Sequence, residues 1–192
     1  MSVRNKLTAI KRKFSRDEEG GLAIEAIIML PLMFFVVMSM FTLFDAFRQY
    51  TMHQKAAYTL SDMISRETVP LDSSYLTGAH ALFDDMTRNP QESSIRVSVV
   101  RYDENNDIFK LDWSQTQGYS TPLSNQDVRN WGDRLPVLVH NERILVVETF
   151  ANYAPPFETG LGSREIENFI FTRPRYSPQI LWDDDEGSFA DS

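Results

Sequence analysis

The chain has no cysteine among its 192 residues, which excludes a disulfide framework, thiolate catalysis and cysteine-ligated zinc. It has three histidines, His53, His80 and His140, far apart and in no metal-ligand spacing such as HExxH. Phosphate-cradling glycine patterns are missing as well. Neither GxxxxGK[ST] nor GxGxxG occurs, and GLGSR at Gly160–Arg164 does not fit a GxSxG nucleophile elbow. No repeat with a period of roughly 20–50 residues is visible. Basic residues are outnumbered, with 19 Lys and Arg against 27 Asp and Glu. That balance argues against a nucleic-acid partner, because phosphate binding needs a Lys/Arg surface.

Two acidic patterns come close to chemistry and stop short. Asp103, Asn105 and Asp107 copy the opening of a calcium loop. Such a loop needs glycine next, for its sharp turn, and an acid at its twelfth position. Ile108 and Ser114 stand there, so a solvated hairpin loop is expected. His80 and Asp84 are four residues apart, the spacing of a surface pair on a helix. The sequence therefore points to no catalytic residue, no metal and no cofactor, and the expectation is a protein that is not an enzyme.

What the chain does have is one long uncharged run, Ala26–Phe44, of 19 residues. As a helix it covers about 28 Å at roughly 1.5 Å per residue, close to a bilayer's hydrocarbon thickness. Pro31 lies inside it, where a membrane helix tolerates a kink. Glu25 stands at its entrance, and Gly20-Gly21 come just before. Residues 1–16 carry six basic side chains and no acid, whereas residues 45–192 carry 13 basic and 23 acidic ones. A basic flank before an apolar span stays cytoplasmic, so the acidic portion is expected on the far side, in a periplasm or outside the cell. No small-x-small cleavage site follows the run, since TLFDAFRQY is bulky.

Beyond the run, no glycine or proline appears until Pro70, and a 3-4 spacing continues through Leu43, Phe47, Tyr50, Gln54, Ala57, Ser61 and Ile64. One helix from about Leu22 to Arg66 is expected. Asp72 or Ser73 can cap a second helix, with Tyr75, Leu76, Ala79, Leu82, Phe83 and Met86 on one face, closed by Asn89-Pro90. Ile95–Tyr102 and Ile108–Trp113 alternate around DENND and read as an antiparallel hairpin. Residues 114–135 read as loop, with a possible short helix at Ser124–Trp131, followed by strands Arg143–Tyr153 and Glu167–Thr172. The fold class is α+β: a long N-terminal transmembrane helix and a small domain with an antiparallel sheet of about four strands. The expected divisions are a basic leader at 1–20, the transmembrane helix at 21–45, an α+β domain at 46–182 and a mobile acidic tail at 183–192.

If the chain is cut between Gly20 and Gly21, the new amino group lies four residues before Glu25. On a helix that spacing lets ammonium and carboxylate pair. A basic leader, Gly20, Glu25 and an apolar helix together resemble the type IV prepilin processing signal. GGLAIEAIIMLPL is similar to the opening of TadE-like proteins, small pseudopilins of the tight-adherence pilus system. Ala26 stands where pilin signals usually have Phe or Tyr. Glu148, Tyr153, Pro155 and Pro156, and Thr172-Arg173-Pro174-Arg175, also resemble strand endings of that group. The resemblance implies a pilin-like fold and a single-pass protein of the bacterial inner membrane with a periplasmic C-terminal domain. It implies processing by a prepilin peptidase at Gly20/Gly21, neutralisation of the N-terminal amine by Glu25 and a kink at Pro31. Its implied partners are other pilins or pseudopilins, the inner-membrane assembly platform and the lipid bilayer, in adhesion and biofilm formation. An unprocessed, membrane-anchored scaffold of an envelope complex is the alternative.

Overall fold

The computed structural model describes residues 18–88, 92–157 and 160–183. The basic leader through Asp17, the Asn89-Pro90 stop and the acidic tail from residue 184 lie outside the described residues. Two compact units divide the rest. One holds residues through Asp45 together with Pro155–Leu161, and the other holds Ala46–Ala154 with Gly162 onward.

The first unit contains the start of α1 (Glu18–Ser65), a helix of 48 residues. It begins four residues earlier than the sequence pattern suggested and runs without interruption past Pro31. One helix long and apolar enough to cross a membrane is thus present near the N-terminus. Its side chains stay largely uncovered: Ile27 is 71% exposed, Leu30 69% and Met33 69%.

The second unit is an α+β domain. It contains the last turns of α1, then α2 (Ser73–Thr87), β1 (Ser93–Asp103) and β2 (Ile108–Gly118). After these come α3 (Asn125–Val128), a 3-10 turn at Trp131–Asp133, β3 (Arg143–Tyr153) and β4 (Arg164–Thr172). The sheet has four strands in the order β2-β1-β3-β4, and every pairing is antiparallel. Alternation divides the strands into two faces. Ile95, Val97, Val99, Leu145, Val147 and Ala151 pack with Ala56, Leu60 and Ile64 of α1 and with Leu76, Ala79 and Phe83 of α2. Phe83, Leu60 and Ile64 are fully buried, and each contributes about 1.5–3 kcal/mol by area. The opposite face carries Val100, Ile144 and Val146, covered by Val128, Trp131, Leu135 and Leu138 from the β2–β3 connection. α1 and α2 therefore lie on one face, and the segment read from sequence mainly as loop, with the short α3, supplies the cover for the other.

Local chemistry fixes the element ends. Asp72 caps α2 by accepting the Tyr75 N–H at 2.7 Å, and Arg88 ends it in the left-handed region. The last carbonyl of α1, at Ser65, accepts the backbone N–H of Arg175 at 2.8 Å. The Arg175 guanidinium also reaches Asp62 at 3.1 Å. On the sheet, Arg96 and Glu148 sit directly opposite each other and pair at 2.6 Å, with Glu148 1% exposed. Removing one partner of such a pair leaves an uncompensated buried charge.

Four expectations need correction. The second strand continues to Gly118 instead of ending at Trp113. Its polar half is held by groups from elsewhere: Ser114 Oγ meets Ser98 Oγ at 2.8 Å and accepts the Leu123 N–H at 3.0 Å. The last strand starts at Arg164, three residues before the alternation became visible. On α2, Leu82 is 37% exposed, and Thr87 takes a buried place by bonding back to the Phe83 carbonyl. The expected mobile tail is anchored at its start: Trp182, just before it, packs against the core. Leu71 bridges it in parallel, and the Leu71 carbonyl accepts the N–H of Asp183, the first residue of the expected tail, at 2.8 Å.

Candidate functional site: the N-terminal helix

Gly20, Gly21, Glu25 and Pro31 all lie on α1. Gly21 and Glu25 are at i and i+4, so they share a face. Gly21 has open space around it: a Cβ placed there would meet nothing within 4 Å. Glu25 is exposed. Pro31 is exposed too, and its missing N–H leaves the Ile27 carbonyl without its helical donor. Further along, the hydroxyls that interrupt the run are satisfied within the helix. Ser39 donates to the Phe35 carbonyl at 2.9 Å and Thr42 to the Met38 carbonyl at 3.0 Å. This back-bonding suits hydroxyls in an apolar medium, where an unpaired one is costly.

The remaining chemistry-bearing residues take up local bonds. His80 Nε2 lies 2.8 Å from Ser93 Oγ and 3.2 Å from the Ser93 carbonyl. The Ser93 hydroxyl donates to Asp84, so Nε2–H is the donor toward serine. Asp84 is 3.8 Å from the same ring nitrogen. A nucleophile–base pair needs the hydroxyl proton directed at the imidazole, and here it goes to the carboxylate. The His80–Asp84 spacing was visible in sequence, but Ser93 comes from another element, which no local pattern announces. Burial lowers the pKa of His53, and the Asp84 charge offsets part of that.

In the β1–β2 turn, Lys110 and Asn106 bond the Asp103 carboxylate and push its pKa down to about 2. Lys110 thereby supplies the positive charge that a cation would bring. Among the described residues no three acidic or histidine side chains gather as metal ligands. A concavity of about 290 Å³ lies near Tyr102, Arg129, Asp133 and Leu135. Its Asp107 is engaged by the Tyr102 hydroxyl at 2.7 Å.

The residues quoted for the C-terminal resemblance occupy structural places. Glu148 pairs with Arg96, Tyr153 is buried, Arg173 pairs with Glu142, and Arg175 closes the end of α1. No protein-family model, curated protein or solved structure matches the chain, so the functional reading rests on this helix and its first turns.

Proposed function

We propose that the chain is a TadE-like pseudopilin or minor pilin that supports assembly of a tight-adherence pilus. The observation that carries this reading is one uncovered helix with a bilayer-length apolar run, whose first turns hold Gly20, Gly21 and Glu25. In this reading the basic leader stays cytoplasmic and the acidic α+β domain is periplasmic. A prepilin peptidase removes Met1–Gly20. The new ammonium on Gly21, or that of a neighbouring subunit, pairs with Glu25. That pairing removes the cost of an uncompensated charge as the helix moves between lipid and a bundle of like helices. The apolar faces pack against other pilins, and the assembly platform moves the subunit.

The test is the mature N-terminus. Full-length protein is expressed in membranes with a prepilin peptidase, purified and analysed by intact mass and N-terminal sequencing. A chain starting at Gly21 is the expected result. A chain still starting at Met1 or Ser2, despite active peptidase on a control pilin, overturns processing.

A second reading is an unprocessed, membrane-anchored scaffold. The continuity of α1 through Gly20 and Gly21 favours it, because a protease needs extended backbone and the helix would first have to unwind there. Under this reading Glu25→Ala leaves complex formation intact.

A further inference from the structure

The segment joining β3 to β4, residues 154–163, reads APPFETGLGS. Its part Pro155–Leu161 belongs to the same compact unit as the apolar helix, and not to the unit holding the two strands it connects. Pro155, Pro156, Phe157 and Leu161 are its apolar residues, and the Phe157 side chain is 41% exposed. An exposed phenylalanine on a loop that shares its unit with a membrane-length helix is a candidate for burial in lipid.

Two features of α1 mark a level along the helix. At the C-terminal end of the run, Thr42 is 1% exposed while its neighbours Phe41 and Leu43 are 63% and 49% exposed. One narrow face is covered there, and the rest is open. Immediately beyond come Phe47, Arg48 and Tyr50, all exposed. Aromatic and basic side chains together are the chemistry of a membrane–water boundary.

We propose that Pro155, Pro156, Phe157 and Leu161, in the β3–β4 loop, form a second membrane contact, placing Phe157 in the boundary layer of the bilayer at the level where the apolar run of α1 ends. The proposal rests on the membrane-spanning reading of α1. Partition of the ring adds to the hold of the single helix.

The absence of cysteine makes the test direct, because each introduced thiol is unique. Phe157→Cys, Leu161→Cys, Leu32→Cys and Asn105→Cys are made in the full chain, labelled with a nitroxide and reconstituted in phosphatidylcholine–phosphatidylglycerol vesicles. Relaxation by oxygen and by a water-soluble nickel chelate gives the depth of each label. Labels at 157 and 161 are expected to favour oxygen over the chelate, between the lipid-facing reference at 32 and the aqueous one at 105. If the label at 32 is in lipid and those at 157 and 161 match 105, the loop contact is wrong and the span survives. If the label at 32 is itself open to the chelate, the spanning reading fails, and the loop contact with it.

Discussion

His53 is 1% exposed, on the stretch of α1 that packs in the α+β domain, well beyond the apolar run. Its ring lies 5.6 Å from that of Phe83, and its Nδ1 has no hydrogen-bond partner among the described residues. Burial lowers its pKa below the ordinary 6.5, and the Asp84 charge offsets only part of that. The unfolded chain therefore takes up a proton near pH 6.5, while the folded chain resists until lower pH. Stability falls as pH drops below that value, because the unfolded state binds more protons. The unfolding temperature of the full chain in detergent micelles should decline between about pH 7.5 and pH 5.5 by this linkage. His53→Gln, which stays neutral, should flatten the decline. An identical slope in the variant would assign the effect to another group.

Among the elements, β2 makes the sharpest demand on one residue. Gly118 ends it opposite Ser94 with φ at +102°, and a Cβ there would lie 2.5 Å from the Ser93 carbonyl oxygen. Gly118→Ala should cost on the order of 1–3 kcal/mol from the backbone conformation alone. The contact with Ser93 adds to that. Gly21→Ala, with open space around it, should leave the domain's stability unchanged and serves as the control. Urea unfolding followed by tryptophan fluorescence reads both.

The same element shows what a local pattern can carry. Arg143–Tyr153 matched its strand end to end because both of its faces are buried, which shows in sequence as a nearly continuous run of strand-forming residues. Ser114–Gly118 carries no such signal, since its polar groups are satisfied by Ser98 and by the segment after the strand. The long helix was legible from uninterrupted periodicity, and its start was misplaced because Gly20-Gly21 looks like a boundary. Trp182 was illegible because its partners, Leu71 and Trp113, lie more than half the domain away in sequence. Of the candidate site, residue placement on one helix could be read locally. The Ser93–His80–Asp84 contact needed the fold.

At the scale of the whole molecule, the contrast is between an uncovered apolar helix and a domain whose sheet is covered on both faces. Full-length protein expressed in bacteria should stay in the membrane pellet through an alkaline carbonate wash, as an apolar span of this length requires. Release into the supernatant would show that the helix is not inserted.

The clamp of Leu71 onto residues 181–183 also has a consequence in time. Ile180, buried in the main core, and Trp182 are among the last described residues of the chain, while α1 is the first described element. At about 5–20 residues per second, synthesis separates the end of α1 from Ile180 by on the order of ten seconds. Through that interval the nascent domain lacks its closing strap, whereas the apolar helix has already left the ribosome. The order of the chain thus gives the apolar helix a head start over the fold that follows it.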